Sequence, residues 1–297
     1  MTREQMMQPQ VLDLDASVAA LHNEARYDFR AWCERLRFAC SVRTLRQFGD
    51  AVAAVLPPAH GPVFVGSGDF HHLSLALIAR AAAAQRAPID VLVLDNHPDN
   101  MRLPWGVHCG SWVSRVAALP NVACVDVAGI TSDDIALGHA WENRLLPLAR
   151  GRVRYWSIGV DVRWARRVGL SHAFIDFDSA EAMVDALRDH IAGSAAPLYL
   201  SIDKDVLDAR DAHTNWDQGV LRLPQLLELA ATTRDRVVGV DVTGEVSIAR
   251  YAQRWKRMLS SLDAQPTPEP SELAQWQADQ QRINARLLEA LSGSAVA

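Results

Sequence analysis

Short apolar runs alternate with longer amphipathic stretches along most of the chain. The run Asp90-Val91-Leu92-Val93-Leu94 is apolar at successive positions, which is typical of a strand buried on both faces of a parallel sheet. The same reading predicts further strands at residues 62–65, 122–127, 153–160, 197–202 and 237–242. Apolar residues spaced three or four apart predict helices at residues 16–40, 41–56, 73–85, 132–149, 179–193 and 223–234. This alternation predicts an α/β fold with three layers, a mostly parallel central sheet between two layers of helices.

The last part of the chain has a different pattern. Residues 264–271 are rich in proline, and a polar helix is predicted at residues 272–291. We therefore expect a single α/β domain over residues 1–263, followed over residues 264–297 by a Pro-rich linker and a C-terminal helix. The helix packs either on the body of the domain or on a neighbouring subunit.

Composition excludes several classes of protein. Net charge is −5, hydrophobic residues are 49% of the chain and charged residues 22%, so the chain has no general basic surface for nucleic acid. The sequence has no apolar run of about 18–20 residues and no N-terminal pattern of a secretory signal. Its four cysteines form no CxxC pair, which agrees with a reducing compartment. These features predict a cytoplasmic protein that acts on a small molecule, with neither nucleic acid nor membrane as a partner.

Acidic residues and histidines follow four of the predicted strands. Because ligands bind at the carboxyl ends of parallel strands, these clusters should meet at one edge of the sheet. The clusters are His71-His72 after residues 62–65, Asp95, His97 and Asp99 after 90–94, Asp203 and Asp205 after 197–202, and Glu245 after 237–242.

So many carboxylates in one crevice need a counter-charge. Two like charges about 4 Å apart repel by roughly 4 kcal/mol at an effective dielectric near 20. Lys204 lies between Asp203 and Asp205, but strand alternation should point it away from them. Four carboxylates and two imidazoles suit two metal ions that share carboxylates, and an oxygen-rich set without thiolate favours Mn²⁺ over zinc.

Three segments resemble motifs of the arginase–agmatinase (ureohydrolase) superfamily. They are Gly66 to His72, Asp95-Asn96-His97-Pro98-Asp99 and Ser201-Ile202-Asp203-Lys204-Asp205. The resemblance implies a three-layer α/β/α fold, two Mn²⁺ ions per chain and a bridging hydroxide that attacks a guanidinium carbon. It also implies a homo-oligomer, either a trimer or a hexamer.

The resemblance implies which residues of this chain bind the metal ions. It implies Asp95, His97, Asp99, Asp203 and Asp205 as metal ligands. The remaining ligand is either His71, which matches the helix that follows, or His72, which keeps the spacing to Asp95.

Two further residues take catalytic roles from the resemblance. His108 would shuttle protons or contact the substrate, unless it is a surface histidine of the loop. Glu245 would pair with the guanidinium group.

The chain departs from the family where the substrate loop should be. Residues 213–219, His-Thr-Asn-Trp-Asp-Gln-Gly, replace it, and we expect Asn215, Trp216 and Asp217 to bind substrate. Trp105, Trp112 and Trp216 either wall an aromatic pocket or simply pack. Arginine and agmatine are therefore not expected as good substrates.

The function that follows is a manganese-dependent hydrolase of linear C–N bonds, other than peptide bonds, in a guanidino or amidino compound. One alternative is an amide hydrolase related to the deacetylases, which would use a single zinc ion. The other is a non-catalytic metal-binding member of the family.

Overall fold

The structure is a computed structural model that describes residues 8–103, 105–248, 251–260 and 268–293. Its strands are β1 (Gln10–Asp13), β2 (Ala25–Asp28), β3 (Ala39–Cys40), β4 (Val63–Phe64), β5 (Ile89–Leu94), β6 (Val107–His108), β7 (Val122–Ile130), β8 (Val153–Ile158), β9 (Phe174–Phe177), β10 (Leu198–Asp203) and β11 (Val237–Thr243). Its α-helices are α1 (Cys33–Leu36), α2 (Val42–Val55), α3 (Ser74–Ala84), α4 (Val113–Val116), α5 (Leu145–Ala149), α6 (Arg163–Arg167), α7 (Ala180–Ala192), α8 (Leu223–Thr233), α9 (Arg254–Ser260) and α10 (Pro270–Ser292).

Within the described residues, one nine-stranded sheet runs through the molecule in the order β2-β1-β4-β11-β10-β5-β7-β8-β9. The strands of this sheet pair in parallel throughout. A short antiparallel pair, β3 with β6, lies apart from it. The four strands that the acidic and histidine clusters follow, β4, β11, β10 and β5, are therefore neighbours in the middle of the sheet.

Alternation along the central strands separates the core into two layers. Val91 and Val93 of β5 pack in one apolar cluster, together with residues of α2 and α3. Leu92 and Leu94 of the same strand pack in a second cluster with residues of α7 and α8. Helices thus cover both faces of a parallel sheet, which confirms the predicted three-layer α/β fold.

Helix α10 belongs to the second of these layers. Ile283, Leu287 and Leu291 are buried in the same cluster as the apolar residues of α8. The helix packs on the body of the chain, and it begins at Pro270, slightly before the predicted residue 272. Residues 264–267 of the predicted Pro-rich linker lie outside the described residues.

Two of the predicted helices are wrong. Residues 16–40 contain β2, a 3₁₀ turn, α1 and β3 instead of one helix, because Ala16 and Asn23 adopt positive φ angles of 57° and 55° that no helix continues through. The apolar residues with helical spacing are buried, but they come from different elements. Residues 132–149 form two 3₁₀ turns and the short helix α5, with Gly138 between the turns.

Candidate metal centre and adjoining cavity

His71, Asp95 and Asp99 form the first of two triads at the carboxyl edge of the sheet. The Nδ1 atom of His71 lies 3.0 Å from Asp95 Oδ2 and 3.0 Å from Asp99 Oδ2. Asp203 Oδ2 lies 3.5 Å from the same nitrogen. The side chains of these residues are buried. One ligand atom from each triad residue lies within 4.8 Å of the other two, which is close enough for one ion to bind all three.

Asp95, His97 and Asp205 form the second triad. His97 Nδ1 lies 3.0 Å from Asp205 Oδ2 and 3.5 Å from Asp95 Oδ1. Asp95 therefore presents Oδ2 to the first triad and Oδ1 to the second. A carboxylate with one oxygen in each triad is the arrangement by which two ions share a ligand.

The ends of parallel strands bring these residues together. Asp95 directly follows β5, Asp203 ends β10, and His71 lies in the 3₁₀ turn Gly68–Leu73 that follows β4. That turn approaches the ligands closely, because a Cβ atom on Gly68 would lie 3.0 Å from Asp203 Oδ2. Asp99 has a φ of +46°, a costly conformation that places its carboxylate opposite His71.

A layer of hydrogen bonds outside the triads orients the ligands. Ser201 Oγ lies 3.0 Å from His71 Nε2 and donates to Asp241 Oδ1 at 2.8 Å. Trp112 Nε1 donates to Asp99 Oδ2 at 2.5 Å, and Thr243 Oγ1 donates to Asp203 Oδ2 at 3.1 Å. Such partners hold the ring and carboxylate orientations that a metal needs.

The electrostatics of the triads fit a divalent cation. Burial and the nearby charges of Asp203 and Asp95 raise the pKa of Asp205 well above its usual range. Burial and the charge of Asp95 raise the pKa of Asp99 to about 7. A divalent cation among these carboxylates would favour their charged forms, and a donor set of carboxylate oxygens and two imidazoles fits such an ion.

His71, rather than His72, joins the carboxylates. Burial lowers the pKa of His71, but hydrogen bonds to Asp95 and Asp99 outweigh burial and raise it well above the usual range. His72 is buried outside both triads, and burial, followed by the charge of His108, lowers its pKa well below the usual range. Between the two histidines that the sequence left open, the geometry therefore favours His71 as the ligand.

Glu245 does not face the metal triads. Its Oε1 atom accepts from Lys204 Nζ at 2.6 Å and from Asn284 Nδ2 at 2.6 Å, and its side chain is buried. Gly244, with φ of +87°, turns the chain here, and a Cβ atom on it would lie 2.5 Å from Asp203 Oδ1. The carboxylate expected to pair with a guanidinium group is thus turned away from the cavity. Lys204 lies in a 3₁₀ turn rather than on a strand as expected, and its Nζ donates to Glu245 and Asn284.

A cavity of about 360 Å³ opens in front of the triads. The lining residues that are not candidate ligands include Phe38, His108, Trp216, Asp217 and Arg102, and we call this set the opposite wall. Trp216 lies parallel to Phe38 with ring centroids 6.4 Å apart. Asp217 Oδ1 lies 3.0 Å from His97 Nε2, and the Asp217 side chain is 72% exposed.

His108 lies at this cavity as a neutral ring. Burial lowers its pKa to about 4, and its Nδ1 accepts from the backbone N–H of Gly110 at 2.9 Å. The proton of the neutral ring is therefore on Nε2, which makes His108 a hydrogen-bond donor at neutral pH. Its ring also packs edge-on against Phe38 at 4.3 Å.

Asn215 and the three tryptophans that the sequence analysis named lie in different environments. Asn215 accepts from the backbone N–H of Ser247 at 2.8 Å and is buried, so it holds a neighbouring turn. Trp112 is fully buried beside His71 and Asp99, whereas Trp105 is 80% exposed. Of the three tryptophans, Trp216 lines the cavity.

Several residues of the site were not found from the sequence. Ser201 was recognised only as part of a motif, without a role, and Asp241 was not singled out. Both carried a signal, because a polar residue inside a buried apolar strand needs a partner. Phe38 and Asp134 lay within the two wrongly predicted helices, and Arg102 lies in an irregular segment between elements. Only the folded loops bring these three to the cavity.

Comparison with known proteins agrees with this geometry. The sequence model of the arginase family matches residues 10–250. An uncharacterized protein of Thermotoga maritima is 25% identical over 207 residues, which are 69% of this chain. The chain spans 65% of the length of that relative.

Solved structures share the fold at low sequence identity. Formimidoylglutamase from Bacillus subtilis has a TM-score of 0.55 at 14% identity, over 97% of this chain and 88% of that one. Proclavaminate amidino hydrolase from Streptomyces clavuligerus has a TM-score of 0.53 at 22% identity, over 85% and 70%. Arginase from Bacillus caldovelox has a TM-score of 0.51 at 14% identity, over 86% and 76%. In the described part of the chain, every helix is too short or too polar to cross a membrane.

Proposed function

The chain belongs to the arginase family, and from that premise we propose that it is a hydrolase of linear C–N bonds, other than peptide bonds, with two Mn²⁺ ions per chain and an amidino or guanidino compound as substrate. The observation that carries the proposal is the position of Asp95, which offers Oδ2 to His71 and Asp99 and Oδ1 to His97 and Asp205. A site for one ion would not require a buried carboxylate with one oxygen in each of two triads.

The ligands would divide between two ions. His71 and Asp99 would hold one, His97 and Asp205 the other, and Asp95 would belong to both, with Asp203 beside the first triad. Bound divalent ions acidify water and stabilise developing negative charge, which supplies a nucleophile at neutral pH.

Asp217 would bind the cationic head of the substrate. An amidinium or guanidinium group is planar and pairs with a carboxylate through two parallel hydrogen bonds. Glu245 is engaged with Lys204 and Asn284, whereas Asp217 lines the cavity beside His97. Asp217 also accepts from His97 Nε2, which fixes the tautomer that leaves Nδ1 free to bind metal.

The other wall residues would shape the remaining part of the site. Phe38 and Trp216 present an apolar surface that excludes water from the reacting atoms. His108 would donate a hydrogen bond from Nε2 to the substrate, because burial keeps its ring neutral.

Arginine and agmatine would be poor substrates. Residues 213–219 supply Trp216 and Asp217 to the cavity, and a pocket built around one set of polar partners rejects ligands that leave those partners unpaired by as much as about 10⁴–10⁵. We expect kcat/KM for both compounds below roughly 10⁴ M⁻¹s⁻¹.

The experiment is a screen of the Mn²⁺-loaded protein against guanidino and amidino compounds, with urea, ammonia and formamide as the measured products. Turnover by the wild type and not by Asp95→Asn supports the proposal. Metal analysis separates the alternatives: one zinc ion per chain at saturation favours the deacetylase-like hydrolase, and two ions without turnover on any compound favour a non-catalytic member. Light scattering tests the proposed trimer or hexamer.

A further inference from the structure

Lys204 is a buried cation placed between two metal ligands. Its side chain is 0% exposed, and its Nζ atom donates to Glu245 Oε1 at 2.6 Å and to Asn284 Oδ1 at 2.9 Å. Asn284 Nδ2 in turn donates to the same Glu245 oxygen at 2.6 Å. Lys204, Glu245 and Asn284 thus form a closed triangle of hydrogen bonds, and Asn284 is on helix α10.

The triangle acts directly on the ligand segment. Lys204 follows Asp203 and precedes Asp205 in the chain, within the 3₁₀ turn Lys204–Val206. The turn that carries Glu245 also touches this segment, because a Cβ atom on Gly244 would lie 2.5 Å from both Asp203 Oδ1 and Lys204 N. Movement of Asn284 or Glu245 would therefore be transmitted to the backbone between the two ligands.

The same face of α10 holds the cavity loop. Gln280, one turn before Asn284, donates to the carbonyl of His213 at 2.7 Å and to that of Gly244 at 3.1 Å. Trp276 stacks on the His213 ring with centroids 4.6 Å apart. Residues 213–219, which include Trp216 and Asp217, thus begin at a point fixed by the helix.

The apolar face of the helix anchors it independently. Ile283, Leu287 and Leu291 are buried against the layer that contains α8. Gln280 and Asn284 are also 0% exposed. Asn284 uses both its amide oxygen and its amide nitrogen in hydrogen bonds, and Gln280 donates two through Nε2. The helix has one face for packing and another that bonds to the loops of the site.

We propose that α10, which contributes no ligand and lies beyond the matched residues 10–250, is a positioning element of the metal centre. Asn284 fixes Lys204 and Glu245, and these fix the segment that carries Asp203 and Asp205. Asn284 is accordingly a positioning residue. The effect on Mn²⁺ affinity rests on the proposed function; the effect on the backbone of the ligand segment does not.

The test compares Asn284→Leu with Leu287→Ala, a variant of the apolar face of the same helix. The first readout is amide hydrogen exchange of residues 203–207 without added metal. The second is the Kd for Mn²⁺ alone, measured by titration without substrate. Leu287→Ala creates a cavity and lowers the free energy of unfolding by about 2–5 kcal/mol. Because the polar triangle is intact, the Kd of this variant for Mn²⁺ should stay within about twofold of the wild type, and exchange at residues 203–207 should rise no more than exchange at residues 89–94 of the central strand β5.

Asn284→Leu should speed exchange at residues 203–207 beyond the Leu287→Ala control and weaken Mn²⁺ binding by about 10–100-fold, the usual effect of losing an outer partner of a ligand. Asn284→Ser, a milder change, should show a smaller effect in the same direction if the leucine variant does not fold. The proposal is overturned if the Asn284 variants match Leu287→Ala in hydrogen exchange. If the wild type binds no Mn²⁺, the proposed function fails, and the exchange comparison alone decides the role of the helix.

Discussion

The two walls of the cavity are built differently. The metal wall consists of the candidate ligands at the ends of β5 and β10 and in the turn after β4, all buried except the partly exposed His97. Hydrogen bonds from Ser201, Trp112 and Thr243 hold three of them. The opposite wall consists of loop residues together with His108, which ends the short strand β6, and Asp217 on it is 72% exposed. In an enzyme of the proposed kind, a rigid sheet edge would fix the chemistry, while the loops could change the compound that is bound without disturbing that chemistry.

The largest effect should come from the shared ligand of the metal wall. Asp95→Asn removes charge from both triads, so we expect both ions to be lost and activity to fall by at least about 10³-fold, since metal catalysis supplies several kcal/mol. Metal content by elemental analysis and turnover of the substrate found in the screen would be measured together.

Asp203→Ala and Asp205→Ala serve as comparisons for Asp95→Asn. Each should lose at least one ion. Full metal content and full activity in both alanine variants would show that the triads are assigned wrongly.

The opposite wall should respond in a different way. Asp217→Asn keeps the shape of the side chain and an oxygen that can still accept from His97 Nε2, but removes the charge. We therefore expect both ions to remain at saturating Mn²⁺, with at most about a tenfold loss of Mn²⁺ affinity. For a cationic substrate, kcat/KM should fall by about 10–100-fold. A neutral analogue of the substrate should lose less. Loss of metal from this variant would place Asp217 with the metal wall and erase the distinction between the two walls.

The residues of the metal wall could largely be predicted from the sequence, whereas those of the opposite wall could not. Asp95, His97, Asp99, Asp203 and Asp205 could be placed together because each follows a buried strand, and parallel strands end at one edge. Whether His71 or His72 joins them depends on the local geometry of a 3₁₀ turn, which the spacing could not give.

The opposite wall was harder to predict because it depends on contacts between loops. Phe38 was assigned to a helix on the strength of apolar spacing, although positive φ angles at Ala16 and Asn23 interrupt the chain before it. Glu245 was expected at the cavity, yet Lys204 and Asn284, which are 41 and 39 residues away in sequence, bind its carboxylate elsewhere. No local pattern encodes such pairings.

Trp112 offers a smaller test of the metal wall. Trp112→Phe keeps most of the buried ring but removes the hydrogen bond to Asp99 Oδ2. We expect Mn²⁺ affinity to fall by about tenfold while KM for the substrate changes little, because Trp112 is fully buried behind the ligands. Mn²⁺ titration and steady-state kinetics on the same preparation would check this. A change in KM alone would instead place Trp112 in substrate binding.

The histidines sharpen the comparison by their protonation. Burial lowers the pKa of both His71 and His108. Hydrogen bonds to carboxylates outweigh burial at His71 on the metal wall and raise its pKa, whereas the pKa of His108 on the opposite wall falls to about 4. In the unfolded chain the pKa of His108 is about 6.5. As pH falls from about 6.5 to about 4, the unfolded state therefore binds a proton that the folded state does not, and His108 makes the protein progressively less stable by up to about 1.4 kcal/mol per pH unit.

His108→Gln removes this contribution, so the free energy of unfolding, measured by urea denaturation between pH 7 and pH 4.5, should fall less steeply for the variant than for the wild type. Parallel curves for the two proteins would mean that His108 titrates normally when folded and is not the neutral donor assigned to this wall.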